Sequence, residues 1–372
     1  MENFLSSVNR PARRWLRVGC AGDAASAMVT AIFANKSGEA SMAGRGSKTG
    51  VRALLVGAAL LALAGARPAA ADSITVTHWG AAFYGAPYAV GMAKGFFKAR
   101  GVDVTGVLTS TGGGTSVRNT LAGDLPFGEV ALAAAVEAIN HGEPIRIIGA
   151  GVDSVADILW IAKPGSPLHS VEDLKGKKVG FTSPGSVTNM LILMALKAKG
   201  MTASDVHLVA AGGIGANLSA VLNGALDAGM TGEPTWSENE GKVQPVFWTK
   251  DVLPPNMMQT VTITTTDFAQ SDPGKLSALL AARADGVAFI EAHPDEAADI
   301  TAAAYHGDPA LYRRVFKNFV SIHYWSDGRM DYDGMNRMVE GLQIVGQQNG
   351  PVEWSKIVDT SFLPAGMKAA AK

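Results

Sequence analysis

Cysteine is almost missing from this chain: its 372 residues contain one, Cys20. A single thiol closes no internal disulfide, and beyond residue 20 there is neither a thiolate nucleophile nor a cysteine metal ligand. No cysteine follows residue 71 either, which excludes the lipid-modified cysteine of a bacterial lipoprotein.

Long apolar runs are missing too. The longest, residues 53–64 (ALLVGAALLALA), falls short of the roughly 20 residues a membrane-spanning helix needs. The body of the chain is therefore expected to be soluble, with no direct membrane insertion.

Metal and cofactor signatures are lacking. The seven histidines show no HxH or HExxH spacing, so no metal site is expected. There is no GxxxxGK[ST] phosphate loop, no GxSxG elbow and no protein-kinase set, so no cofactor and no catalytic unit is expected. GGIGAN (212–217) has Leu218 where a dinucleotide loop would place its last glycine.

Clustered positive charge is also scarce. The whole chain carries 32 Lys+Arg against 33 Asp+Glu; residues 1–71 hold nine and three of these, leaving 23 against 30 and a balance of −7. An acidic body without basic blocks excludes nucleic acid and anionic lipid as partners.

What is present begins with the leader. Arg45, Lys48 and Arg52 precede the apolar run, and Ala69-Ala70-Ala71 then offers an A-x-A cleavage site. Residues 42–71 are read as a cleavable export signal starting at Met42, and residues 1–41 as a misassigned extension. Cleavage leaves Asp72 first, and the mature protein is expected in the periplasm.

From residue 72 β-branched runs alternate with helical periods, which argues for α/β layers. The pattern gives strands 74–78, 103–108, 145–151 and 158–163 with helices 86–100 and 115–122. The turn Pro164-Gly165-Ser166-Pro167 is read as the first crossing between two lobes. A second unit follows, with strands 178–182, 206–210 and 225–231, a helix or turn at 171–174, and helices 187–199 and 217–223. Strand 260–266 leads out, and helices 274–292, 294–305, 309–318 and 332–348 are expected to pack on the first lobe. The lobes are thus 72–163 with 264–372, and 164–263, with two crossings and a cleft between them.

Three phrases in order, YAVGMAKGFFKARGVDV (88–104), VEDLKGKKVGFTSPGSVTNM (171–190) and LSAVLNGALDAGMTGEP (218–234), resemble the nitrate, sulfonate, taurine and thiamine-precursor binding proteins of ABC transporters. The likeness runs from Ser73 to about Ala298. It implies a type II periplasmic binding protein fold, two α/β lobes joined by two crossing segments with a ligand cleft between them. It further implies a non-catalytic, monomeric receptor that passes a small molecule to an inner-membrane ABC permease and its ATPase. Fungal relatives of the family make the thiamine pyrimidine, but with a cysteine-rich motif that this chain lacks; an enzyme of that kind, or a periplasmic ligand sensor, is the alternative.

In open α/β sheets ligands bind at the carboxyl ends of strands, and five loops qualify. The first carries Trp79, Phe83 and Tyr84, rings that either face a flat ligand or pack the core. The second, Thr111-Gly112-Gly113-Gly114-Thr115, opens a helix whose free N–H groups attract negative charge, or is a flexible turn. Arg118, just inside that helix, either pairs with an anionic ligand or sits solvated.

The third loop has Glu129 where the resembling proteins more usually carry a neutral residue at a strand end lining the cleft. A carboxylate there would favour an amine, amidine or sugar hydroxyl over a simple sulfonate or nitrate. In the fourth, Ser183, Gly185, Ser186, Val187, Thr188 and Asn189 either receive an anion or cap a helix. The fifth, Gly232-Glu233-Pro234 with Trp236, matches the family's Glu-Pro step; Trp236 covers a ligand, and Glu233 faces it or is a structural acceptor. The expected ligand is a zwitterion, a heteroaromatic or an aromatic acid.

Overall fold

The computed structural model describes residues 72–368. The expected extension 1–41 and export signal 42–71 lie outside the described residues.

Ten strands form a five-stranded sheet and a second layer, in which a three-stranded and a two-stranded sheet are joined by one bridge, with the same internal plan. In the first, β1 (Asp72–Val76), β2 (Val104–Leu108), β3 (Phe127–Ala131), β4 (Ile145–Val152) and β10 (Thr260–Thr265) lie in the order β2-β1-β3-β10-β4. β1 runs parallel to β2 and β3, while β10 is antiparallel to both β3 and β4. Ile74, Thr75 and Val76 are all buried, as expected of a central parallel strand covered on both faces.

In the second, β5 (Ile158–Ala162) pairs antiparallel with β8 (Gly229–Gly232) and β9 (Gln244–Trp248). β6 (Lys178–Phe181) pairs parallel with β7 (His207–Ala210). Gly180 N–H donates to the Ala228 carbonyl at 2.8 Å, and a parallel bridge joins Val179 to Ala228, so β6 lies beside the approach to β8. The order β7-β6-β8-β5-β9 repeats that of the first sheet. This is a two-lobed α/β architecture.

The pairings place the change of sheet differently from the sequence reading. β5 belongs to the second sheet, so the chain crosses at residues 153–157, ahead of the Pro164-Gly165-Ser166-Pro167 turn, which only closes β5. β10 belongs to the first sheet, so the return crossing lies before Thr260 rather than after residue 263. A wholly buried strand such as ILWIA carries no mark of which sheet it joins.

Helix 86–100 is divided into Ala86–Ala93 and Phe96–Ala99, because Gly95 adopts φ +72° between them. β3, β9 and the Leu132–Asn140 helix were not named as elements from sequence. Helix Pro273–Ala292 lies against Ala86–Ala93 so closely that a Cβ at Gly286 would collide with the Pro87 carbonyl.

Not all C-terminal helices pack on the first lobe. Tyr332–Ile344 rests on Val187–Ala198 of the second lobe, where a Cβ at Gly341 would come within 2.8 Å of the Met190 Cβ, and it also touches Leu132–Asn140 of the first. It therefore spans the two lobes. Among the described residues no helix is long and apolar enough to cross a membrane, and no group of three His, Cys, Asp or Glu residues gathers as a metal site.

Candidate functional site

The loops at the carboxyl ends of β1, β2, β3, β6, β7 and β8, together with both crossings, line one cavity of about 400 Å³. That volume lies in the range of small-molecule pockets.

At the end of β1 the chain turns sharply: His78 has φ +53° and Gly80 φ +80°. Two bonds hold the turn, His78 N–H to the Ser110 carbonyl at 2.9 Å and Trp79 N–H to Thr109 Oγ1 at 2.9 Å. Thr77 and His78 thereby face the cavity, with Thr77 Oγ1 and His78 Nδ1 shut from solvent and without a hydrogen-bond partner among the described residues. Desolvation pulls the His78 imidazole down to about 4, so it is neutral at physiological pH.

After β2, Gly112 is the N-cap of helix Gly113–Ala122 and offers no side chain to its first N–H groups. A Cβ at Gly113 would press within 2.8 Å of the Ala134 Cβ, so the loop lies flat on the helix after β3. Arg118 borders the cavity but is exposed, its Nη2 donating to Thr115 Oγ1 at 2.8 Å. After β3, Ala131, Ala134 and Glu137 complete this side.

In the second lobe Thr182 N–H and Oγ1 bond to Thr188 Oγ1, at 3.0 and 2.9 Å. Ser186 caps the Val187–Ala198 helix by accepting from Asn189 N–H at 3.2 Å. Gly212, Gly213 and Ile214 face this loop from the end of β7, Gly213 being a second N-cap without a side chain.

Of the residues expected at the site, Tyr84, Thr111, Gly112, Gly113, Gly114, Thr115 and Arg118 line the cavity from the first lobe. Ser183, Gly185, Ser186, Val187, Thr188 and Gly232 line it from the second. Six do not. Phe83 is core, 0% exposed, with Tyr312, Phe316 and Phe319 edge-on to its ring. Trp79 packs edge-on to Tyr305 at 4.9 Å. Asn189 is spent on its own loop, its Oδ1 accepting from Gly185 N–H at 3.1 Å. Glu233 accepts from Ser237 Oγ at 2.9 Å, and Trp236 packs on Trp248 at 5.8 Å.

The sixth correction is Glu129. It is 0% exposed and paired with Arg283, whose Nε donates to its Oε2 at 2.9 Å, while Thr260 Oγ1 donates to its Oε1 at 2.8 Å. Its strand-end position suggested the cleft, but its side chain points into the core.

Besides Glu137, a second carboxyl lines the cavity, that of Asp157 on the first crossing. Its Oδ1 accepts from Gln259 Nε2 at 2.6 Å and its Oδ2 from the Tyr324 hydroxyl at 3.0 Å. Gln259 Oε1 in turn accepts from the Tyr84 hydroxyl at 2.7 Å. Burial pushes Asp157 up to about 7, against the pull of the Gln259 and Tyr324 bonds. The sequence reading missed Asp157, His78, Gln259 and Gly212-Gly213-Ile214; only the glycine pair between a strand and a helix gave a local signal.

With this geometry established, residues 82–297, more than half the chain, match the model of the family described as NMT1/THI5 like. The chain belongs to that family. A relative, the riboflavin-binding protein RibY of Chloroflexus aurantiacus, is 24% identical over 315 residues, covering 76% of this chain and 83% of its own. Among solved structures, the ligand-binding component of an ABC-type import system from Staphylococcus aureus superposes with a TM-score of 0.65 at 11% identity, over 78% of this chain and 97% of its own. The desulfurization enzyme DSZB superposes with a TM-score of 0.56 at 15% identity, again over 78% and 97%. The fold of this NMT1/THI5-like chain is the periplasmic binding protein fold.

Proposed function

We propose that this chain is an exported solute-binding receptor that holds a small organic molecule in the 400 Å³ cavity and delivers it to an inner-membrane ABC importer. The observation that carries the reading is the convergence of six strand ends, three from each sheet, and both crossings on one cavity. A solute touching both sets of loops favours the closed arrangement over an open one, and so reports occupancy to a transporter.

Among the expected ligand classes the proposal takes the heteroaromatic one. RibY, the relative above, is named for binding riboflavin, and the cavity combines an aromatic ring, Tyr84, with glycine surfaces and hydroxyls. The export signal at 42–71, release of a mature protein starting at Asp72, the periplasmic location and the monomeric state belong to the same proposal.

The test is a thermal-shift and calorimetric screen of the mature chain against riboflavin, thiamine and simple anions. A specific ligand raises stability by RT ln(1 + [L]/Kd), so a saturable upward shift is expected. No shift with any solute would sink the reading. DSZB keeps an enzymatic alternative in view, because an enzyme uses the same fold. Mass spectrometry of the solute after incubation separates the two, an unchanged mass being the expected result.

A further inference from the structure

Resting on the receptor reading, we infer that Asp157 is the specificity-determining residue of the cavity: its carboxyl accepts an N–H or O–H donor from an uncharged or cationic heteroaromatic solute and turns anionic groups away.

Asp157 stands where the chain changes sheet, and its carboxyl is bonded to two other segments of the chain and, through one of them, linked to a third. Gln259 comes from the return crossing, Tyr324 from the segment before helix Tyr332–Ile344, and Tyr84, through Gln259, from the loop after β1. The carboxyl is 2% exposed yet borders the cavity. The carboxylate accepts from Gln259, Tyr324 and its own main-chain N–H, which leaves one of its four lone pairs for a ligand. Thr77, only 1% exposed, and His78 border the same cavity with Oγ1 and Nδ1 still without a partner. Buried polar atoms left unpaired cost free energy unless a ligand completes them.

Positive charge at this wall is committed elsewhere. Buried Arg283 gives Nε to Glu129, Nη1 to the Ser326 carbonyl and Nη2 to the Gly151 carbonyl. Arg118 is exposed and bonded to Thr115, and His78 is neutral. An anion brought to Asp157 would be desolvated beside a carboxyl whose hydrogen-bonded neighbours carry no cation, whereas an N–H or O–H donor finds an acceptor.

The titratable groups facing Asp157 are Tyr84, Tyr324 and Glu233. Burial holds both tyrosines well above their ordinary range, and Glu233 is engaged by Ser237. Neighbouring His78 titrates near 4. A solute donor favours the ionised carboxyl, so binding should tighten as pH rises through about 7 and weaken on acidification.

The experiment is calorimetric titration of the mature chain, Asp157→Asn and Tyr324→Phe with four probes: riboflavin, thiamine, methanesulfonate and nicotinate, between pH 5.5 and 8.5. Expected are preference of the native chain for riboflavin or thiamine over both anions and loss of at least ~10-fold in affinity in Asp157→Asn. The pH dependence should vanish with the carboxyl. Tyr324→Phe removes one donor from the carboxyl and should move the midpoint of the pH dependence upward, a readout that stands even if Asp157→Asn fails to fold. A folded Asp157→Asn that binds as the native chain does, an unmoved midpoint in Tyr324→Phe, or tighter binding of either anion overturns the assignment. Binding of none of the four by the native chain overturns the heteroaromatic-receptor reading itself, and this assignment with it.

Discussion

Arg283 Nε lies 2.9 Å from Glu129 Oε2, with the two side chains 1% and 0% exposed, and the remaining guanidinium nitrogens cover two main-chain carbonyls. A buried pair of this kind costs much to desolvate, and removing one partner leaves the other charged or unsatisfied. Arg283→Met is therefore expected to lose about 3–5 kcal/mol of stability. Combining it with Glu129→Gln should restore part of that loss. Urea denaturation of the single and double variants measures both, and equal losses in the two would contradict the pairing.

Phe83 separates core from site. Its ring meets Tyr312, Phe316 and Phe319, and its carbonyl accepts from Trp325 Nε1 at 2.8 Å. Phe83→Ala should cost about 3–5 kcal/mol through the cavity it leaves. Solute affinity measured well below the melting temperature should stay within about twofold of the native value, since the ring does not border the cavity. A selective loss of affinity would return Phe83 to the site.

Asp153 and Asp157, both pushed up to about 7 by burial, give stability a definite slope with pH. Between about 4 and 7 the native carboxyls keep protons that the unfolded chain releases, so their contribution is full below the unfolded pKa and is lost as pH rises through about 7. His78 opposes them between about 4 and 6.5, because the native imidazole stays neutral while the unfolded one gains a proton. The melting temperature without solute should fall from pH 6.5 to 7.5, where the two carboxyls outweigh the fading histidine effect. Asp157→Asn should flatten that fall; a curve as steep as the native one would show that Asp157 does not titrate there.

Gln347 bridges the cleft at its rim. Its Nε2 donates to Glu137 Oε1 at 3.2 Å on the first-lobe wall, and its amide lies so near Gly185 of the second lobe that a Cβ there would collide with it. Gly185 also has φ +73°, where a side chain costs roughly 1–2 kcal/mol. Gly185→Ala should displace the amide and speed solute release several-fold in stopped-flow measurements. Gln347→Ala should do the same without the backbone cost, and an unchanged release rate in both would show that this contact does not retain the solute.

Local patterning made much of this legible. Alternating β-branched and helical periods gave eight of the ten strands, all but β3 and β9, and the strand-end loops with Thr111–Thr115 and Ser183–Thr188 do border the cavity. What stayed hidden depends on distant partners. Glu129 is indistinguishable from a cleft carboxylate until Arg283, 154 positions away, is seen beside it. Asp157 lies in no motif; only the sheet change places it against Gln259, 102 positions on. The assignment of β5 and β10 to their sheets was unreadable for the same reason, being settled by pairings across the chain.

The exchange of strands has a consequence for synthesis. β10 is inserted between β3 and β4, with Val261 opposite both Val130 and Ala150, so the first sheet lacks its middle until the whole second lobe has emerged. A nascent chain cut off before Thr260 would leave two strand edges open in the first sheet, which therefore cannot be finished ahead of the second in the usual order from the amino terminus. Such pairing between distant segments slows folding. A polypeptide built this way stays threadable for most of its synthesis, as the export proposed above would require.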